Sequence, residues 1–308
     1  MVRTRFAPSP TGDLHVGGAW TAIASWALAR ASSGTTLLRV EDIDAPRVVA
    51  GSAERIEEDL AWLGLDWDER SAPQSARLAR YEAALERLAA DGRVYPCDCS
   101  RAEIARAASA PHAGEEVVYP GTCRDLPPER EMKRPPAVRI RVPARTTIAF
   151  EDAVRGRVEQ RVDVDVGDFV LRRGDGVFAY QLVVAVDDAE MRVTDVVRAE
   201  DLLASTPRQI LLMRFLGLQE RVPRYAHVPL VVDPGGERLA KRTRGATIRE
   251  LKERGIGADA IVGTLAAGLG LVAGDLRPRR AAEVAGSLEP PSRWRSSAWR
   301  IPREWGTE

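Results

Sequence analysis

Apolar and polar positions alternate along the chain with two different periods, and the switch between them marks out the elements. Val2 to Phe6 is a short strand-like run closed by Pro8, Pro10 and Gly12. Prolines remove backbone donors and glycine permits a tight turn, so a loop is expected there. Ala19 to Leu28 is then apolar with helical character, and Thr35 to Val40 is rich in β-formers and ends in Glu41-Asp42-Ile43-Asp44. Strand, helix and strand in that order predict the start of a parallel sheet with crossover helices. Ser52 stands where it would cap a helix running through Glu54, Ile56, Leu60 and Leu63 to Gly64. A second helix, from about Ala76 to Ala90, carries Leu78, Tyr81, Leu85 and Leu88 on one face, and Gly92 follows it.

The pattern changes at Val94. From there to Gly167 the chain bears cysteines, is rich in proline, and then holds short β-like runs at Val138–Val142 and Arg157–Val166. This reads as an inserted module. The sheet is expected to resume from Asp168, through Phe169–Arg172, Phe178–Val186 and Met191–Arg198. Ser205-Thr206-Pro207 starts a helix with proline at its first position, and Gly217 ends it. The remainder is helical, with candidates at Thr247–Arg254, Asp259–Gly268 and Arg280–Gly286. The last stretch interleaves arginine with tryptophan, at Arg293, Trp294, Arg295, Trp299, Arg300, Arg303 and Trp305. Such a tail can touch a nucleic acid through phosphate contacts and stacking. Packing of its indoles onto the domain is the preferred reading.

Composition narrows the class. The 308 residues suffice for about two domains, and 44% of them are hydrophobic, enough for a sizeable core. Lys+Arg 45 balance Asp+Glu 45, so a nucleic-acid partner would be met by local patches rather than by a global field. No apolar run is long enough to span a bilayer, and the start lacks the basic and apolar blocks of a signal peptide, so a cytoplasmic protein without membrane contact is expected. The three cysteines all fall between Cys97 and Cys123. An odd, clustered set points to a metal site rather than a disulfide framework.

The first loop carries the candidate chemistry. It delivers His15, Gly17 and Gly18 to a helix N-terminus, where free N–H groups and the helix dipole favour an anion. Alone, the loop is either a nucleotide site or an ordinary strand–helix connection. Late in the chain, the turn Pro234-Gly235-Gly236 precedes Arg238-Leu239-Ala240-Lys241-Arg242. A lysine on such a loop can reach a phosphate as a point charge, although a basic loop by itself is usually solvated surface.

Taken together, His15-Val16-Gly17-Gly18 and Arg238-Leu239-Ala240-Lys241-Arg242 resemble the His-Ile-Gly-His and Lys-Met-Ser-Lys-Ser signatures of class I aminoacyl-tRNA synthetases. Arg238 replaces the first lysine of the second signature and Ala240 its serine, while Lys241, Arg242 and Arg244 keep the loop basic. Arg5-Phe6-Ala7-Pro8-Ser9-Pro10-Thr11-Gly12, Leu38-Arg39-Val40-Glu41-Asp42-Ile43-Asp44, Val186-Asp187-Asp188 and Val197-Arg198-Ala199-Glu200-Asp201 look like glutamyl-tRNA synthetase. The likeness runs from residue 3 to about residue 254. The sequence ends at Glu308 without the anticodon-binding region of that enzyme. This short form, with its Cys-x-Cys…Tyr-x-x-x-Cys cluster, resembles the glutamyl-Q tRNA(Asp) synthetase family.

The resemblance implies an α/β fold: a Rossmann-like parallel-sheet class I synthetase catalytic domain in two halves (1–93 and 168–217), a zinc-bearing acceptor-binding insertion (94–167), and a C-terminal helical stem-contact-like domain (218–308). It implies ATP-dependent activation of L-glutamate to glutamyl-adenylate and transfer to the queuosine base in the anticodon of tRNA(Asp). The alternatives are a truncated glutamyl-tRNA synthetase charging tRNA(Glu) and a non-catalytic glutamate- or adenylate-binding paralogue. A monomer is expected. By the same resemblance Arg5, Ala7, Ser9, Glu41, Tyr180 and Arg198 form the glutamate pocket, and His15, Gly17, Gly18 and Lys241 hold ATP with its Mg²⁺, His15 and Lys241 acting catalytically. The chemistry of the residues agrees. Arg5 and Arg198 can bind carboxylate in bidentate fashion, Tyr180 can donate a hydroxyl, and Glu41 can accept from an α-amino group. One structural zinc per chain would be held by Cys97, Cys99 and Cys123. For its fourth ligand general chemistry favours His112, whereas the family pattern points to Tyr119, which is chosen here.

Overall fold

The computed structural model describes residues 1–107, 118–237 and 247–305. In chain order the elements are β1 (Arg3–Phe6), α1 (Val16–Ala31), β2 (Thr35–Leu38), α2 (Ser52–Trp62), β3 (Glu69–Arg70), α3 (Leu78–Ala90), β4 (Val94–Cys97), α4 (Arg101–Ala107), β5 (Ala137–Ile140), β6 (Thr147–Asp152), β7 (Gly156–Arg161), α5 (Val162–Asp165), β8 (Val170–Arg172), α6 (Tyr180–Glu190), β9 (Asp195–Ala199), α7 (Thr206–Phe215), β10 (Arg224–Val228), β11 (Val231–Val232), α8 (Ile248–Glu253), α9 (Ala258–Leu269), α10 (Ala281–Gly286) and β12 (Trp299–Arg300).

The expected strand–helix–strand start is present. β1 and β2 pair in parallel, Arg3 opposite Thr35 through Phe6 opposite Leu38, with β3 parallel beyond β2. A second sheet has the order β7-β6-β10-β9, parallel except for the β6–β7 hairpin. The Thr194 N–H donates to Arg3 O at 2.9 Å, which brings the start of β9 alongside β1. Neighbouring residues of the sheet feed opposite cores. Val197 and Ala226 join the cluster of α1, α2 and the C-terminal helices, whereas Val196 and Tyr225 join that of α3, α6 and α7. A parallel sheet covered on both faces is the usual α/β solution, because its crossover helices lie on those faces.

Four expectations change. Phe178–Val186 contributes no strand: α6 runs from Tyr180 to Glu190, and every residue from Leu182 to Ala189 is buried. A helix buried all round loses its polar stripe, so its apolar run cannot be told from a buried strand by periodicity. Phe169–Arg172 does not extend the main sheet either. β8 pairs antiparallel with β5, which pairs with β4, in a separate three-stranded sheet. Conversely β6 and β7, read as part of the insertion, lie beside β10. Finally, Ser52 does not cap its helix. Gly51 is the N-cap, and the Ser52 hydroxyl donates to Gly12 O at 2.5 Å and accepts from Gly12 N–H at 3.2 Å, tying α2 to the first loop.

The C-terminal helices close over α1. Ile248, Ile261, Leu265 and Val284 share one core with Ala19, Trp20 and Ile23. Thr247 and Glu250 form a reciprocal capping box on α8. The tail packs as preferred from its sequence. Trp294 and Trp305 are buried, β12 pairs with β11, and Trp299 stacks on Trp20 with ring centroids 5.1 Å apart. Replacing Trp299 with alanine removes this ring pair and the area it covers, which is expected to cost about 2 kcal/mol. The check is the urea midpoint read by tryptophan fluorescence; an unchanged midpoint contradicts the docking.

Candidate functional site

The first loop ends in a helix start built for close approach. His15 is the N-cap of α1, and its Nδ1 accepts from the Gly18 N–H at 3.3 Å. A Cβ on Gly17 would sit 3.0 Å from the His15 ring, and one on Gly18 would sit 2.8 Å from Leu14 Cδ1. Glycine is what lets ring and leucine fold over the first turn. No acidic residue stands in that turn, so the positive end of the dipole is uncancelled there.

This helix start forms one wall of a cavity of about 800 Å³. The opening lies past the carboxyl ends of β1 and β9, the usual ligand position in open α/β sheets. Its lining includes Arg5, Ala7, Ser9, His15, Gly17, Gly18, Glu41, Tyr180 and Arg198. Every site residue expected from sequence for glutamate and ATP is therefore in one place, except Lys241, which lies outside the described residues. Leu230, Val231 and Thr247 line the same space and were not anticipated. The volume fits a ligand of nucleotide size, within the range typical of small-molecule sites.

Beneath the cavity floor sits a buried charge cluster. Arg39, fully buried, donates to Asp188 at 2.7 Å and to Glu41 at 3.1 Å. Arg5 Nε donates to the same Asp188 oxygen at 3.2 Å. Asp187 accepts from Gln74, Arg77 and Tyr81 at 3.1, 2.8 and 3.0 Å. Burial opposes the Asp188 charge, yet the guanidiniums of Arg5 and Arg39 hold its carboxyl below the usual range. Burial wins at Glu41, whose carboxyl is pushed up despite Arg39 and Arg5. Glu41 is thus a carboxylate short of compensation, facing the cavity.

Arg198 is held from three sides. Its guanidinium donates to Tyr180 Oη at 3.2 Å, to Thr206 Oγ1 at 2.7 Å and to His227 Nε2 at 3.0 Å. Burial raises the Tyr180 pKa, although the charge of Arg198 opposes this, so the phenol stays a neutral donor.

Away from the cavity, Cys97, Cys99 and Cys123 bring their sulfurs within 4.8 Å of one another. Tyr119 Oη lies 3.3 Å from Cys97 Sγ and 3.7 Å from Cys99 Sγ. Four donors at the corners of a zinc tetrahedron, with Zn–S about 2.3 Å, stand about 3.5–4 Å apart, and the Cys99 and Cys123 sulfurs at 3.4 Å are close to that spacing, so the set is compatible with the ion. Burial and the neighbouring cysteines push the Cys99 thiol up to about 12. Three thiolates cannot share this space unless a cation compensates them, which a metal does. Arg139 lies 3.9 Å over the Tyr119 ring and holds it in place. His112 lies outside the described residues.

Sequence reasoning named the Val186-Asp187-Asp188 motif, Arg39 within Leu38–Asp44 and Thr206 at a helix start without giving them a role at the site, and it passed over Asp152 and His227. Two adjacent aspartates inside an apolar run were the available signal, because a buried carboxylate needs a partner. Nothing local marks Asp152 or His227, since their partners come from other strands.

With this geometry in place, the relatives are informative. The family model "tRNA synthetases class I (E and Q), catalytic domain" matches residues 1–273. A glutamyl-Q tRNA(Asp) synthetase of Geobacter sulfurreducens is 53% identical over 256 residues, covering 82% of this chain and 80% of that protein. Its namesake from Nitratidesulfovibrio vulgaris is 47% identical over 303 residues, covering 94% and 92%. Among solved structures, the glutamate-tRNA synthetase of Elizabethkingia anophelis superposes with a TM-score of 0.82 at 27% identity, covering 99% of this chain and 68% of that one.

The cluster makes a quantitative prediction. Asp188→Ala leaves Arg5 and Arg39 buried without their shared carboxylate, a change expected to cost about 3–5 kcal/mol. Chemical denaturation measures it, and a loss below 1 kcal/mol would remove Asp188 from the role of keystone.

Proposed function

We infer the function from one premise: this chain belongs to the class I tRNA synthetases (E and Q) and is a ligase. It activates L-glutamate with ATP and transfers the glutamyl group to the queuosine base in the anticodon of tRNA(Asp). The observation that carries this reading is the convergence of a carboxylate-and-amine pocket with a glycine-lined helix N-terminus in a single cavity. The choice of queuosine over a tRNA 3′ end is supported by the names of the relatives at 47–53% identity.

In the first step an α-carboxylate oxygen of glutamate attacks the α-phosphorus of ATP. A P–O bond forms, the bond to the bridging oxygen breaks, and pyrophosphate leaves. The nucleophile is already ionised, so the protein's task is positioning and charge stabilisation. Arg5 and Arg198 meet glutamate's carboxylates, Tyr180 donates its hydroxyl, and Glu41 accepts from the α-amino group. Ala7 and Ser9 shape the wall between the two ligands. An ammonium against Glu41 supplies the compensation that its buried carboxylate lacks. His15, Gly17 and Gly18 face the phosphates of MgATP, and Lys241 is assigned to the same phosphates by the likeness of its loop to the second class I signature. In the second step the adenylate passes its glutamyl group to a hydroxyl of queuosine and AMP leaves.

Cys97, Cys99, Tyr119 and Cys123 would hold a structural zinc, which would tie the end of β4 to the 119–123 segment. Cys97→Ser is expected to lower bound zinc from one equivalent to well under half, read by metal analysis of the purified protein; full metal content would refute the ligand set. The transfer itself is tested with labelled glutamate, ATP and tRNA(Asp) bearing or lacking queuosine. Label is expected only on the queuosine-bearing form. Label that ignores queuosine, or that appears only on tRNA(Glu), overturns the acceptor assignment.

A further inference from the structure

Arg198 differs from the other arginines at the cavity in what holds it. Arg5 and Arg39 are each paired directly with Asp188, whereas Arg198 makes no ion pair among the described residues. Its polar neighbours are uncharged: Tyr180, Thr206 and His227. The nearest acid in this network, Asp152, stands one imidazole away, its Oδ2 2.6 Å from His227 Nδ1.

The register of the sheet creates this order. Arg198 on β9 is the ladder partner of His227 on β10, and β6, which ends in Asp152, lies on the other side of β10. A guanidinium can only donate, so His227 Nε2 must accept from Arg198 and the ring proton must sit on Nδ1, facing Asp152. Asp152 is itself fixed, accepting the backbone N–H of His227, Val154 and Arg155 at 3.1, 3.0 and 2.9 Å. Burial lowers the His227 pKa, and Arg198 and Arg5 add to this against the pull of Asp152, so the ring stays neutral. Thr206 Oγ1 accepts from the far nitrogen of Arg198 and lies 3.2 Å from His227 Nε2, closing the triangle. His227 and Thr206 are fully buried and Asp152 nearly so.

We propose that Asp152, His227 and Thr206 are positioning residues that fix the Arg198 guanidinium, with no carboxylate bonded to it directly, for the carboxylate of the amino-acid substrate. The interposed imidazole relays orientation from Asp152 without putting a carboxylate against the arginine. Arginine has a large rotamer entropy, and a guanidinium ordered before binding does not lose it on meeting the ligand.

The inference rests on Arg198 being a glutamate ligand, and the experiment separates the two claims. Glutamate-dependent pyrophosphate exchange is measured for the unmodified chain, Arg198→Ala, His227→Ala, His227→Gln and Thr206→Val, with KM for glutamate and for ATP obtained separately. His227→Ala is expected to raise the glutamate KM about tenfold or more and leave the ATP KM within about twofold, the cost of a lost hydrogen bond to a charged group. His227→Gln, which keeps an acceptor for Arg198 Nε, recovers most of the loss, and Thr206→Val gives an intermediate rise. If the glutamate KM is unmoved in Arg198→Ala, the ligand assignment fails. If it rises there but stays within twofold in His227→Ala, or if glutamate and ATP KM rise together, the positioning role alone is overturned. Should His227→Ala not fold, Thr206→Val decides, and an unchanged glutamate KM in that variant overturns the proposal.

Discussion

A guanidinium sealed from water is the constraint around which this protein is arranged. Arg39 leaves the end of β2 pointing into the protein, where its solvation is lost and must be replaced. Asp188 on α6 and Glu41 in the following loop replace it, with Asp187 3.8 Å from its Nε. A buried ion costs several kcal/mol unless paired and hydrogen-bonded, so β2, α6 and the loop after β2 cannot shift independently. Arg5 joins through the same Asp188 oxygen and adds β1 to the set. Asp187 extends it to α3 through Tyr81 and to Gln74 and Arg77 before that helix. Two neighbouring residues of one buried helix thus lock three other parts of the chain.

The cavity follows from this lock. With β1 and β2 pinned from below, the loops beyond their ends are carried to fixed positions above, and Ser52 clips the first of them to α2 through Gly12. Arg5 and Glu41 belong to the charge cluster and to the cavity wall at once. At Glu41 burial outweighs the pull of Arg39 and Arg5 and pushes its carboxyl up. Arg198 belongs to a second, separate network on β9, β10 and β6, where the acid stands at one remove. The pocket therefore presents a buried carboxyl from the loop after β2 and, from β9, a guanidinium with no direct carboxylate partner, a polarity that suits a zwitterionic ligand with an anionic side chain.

The outlying elements are held by more local means. The small β4-β5-β8 sheet is joined to the cysteine cluster at Cys97, the last residue of β4, and Tyr119 reaches Cys97 and Cys99 from the other side of the cluster. The C-terminal tail is fastened by β12 adding to β11 and by the Trp20–Trp299 stack, which places the tail directly behind a helix whose N-terminus faces the cavity. Within β12 Trp299 is half-buried and Arg300 exposed, because neighbouring residues of a strand point to opposite sides.

Much of this was decided locally and could be read from the chain. The strand–loop–helix at Arg5 to Gly18, the capped helix at Thr247, the proline-started helix at Thr206 and the cysteine cluster each depend on short-range chemistry: turn residues, caps and ligand spacing. The pocket residues Arg5, Ser9 and Glu41 were named through ordered motifs and Tyr180 through the family resemblance, and all four line one cavity. Tertiary structure alone decided what periodicity cannot encode. Tyr180–Glu190 is a helix because its whole circumference is buried, which erases the polar stripe that would identify it. Ser52 ties a loop instead of capping a helix because Gly12 arrives beside it from a distant part of the chain. Arg198, His227 and Asp152 share one network only because β9, β10 and β6 are neighbours in the sheet, and strand order is a property of the folded chain rather than of any window along it.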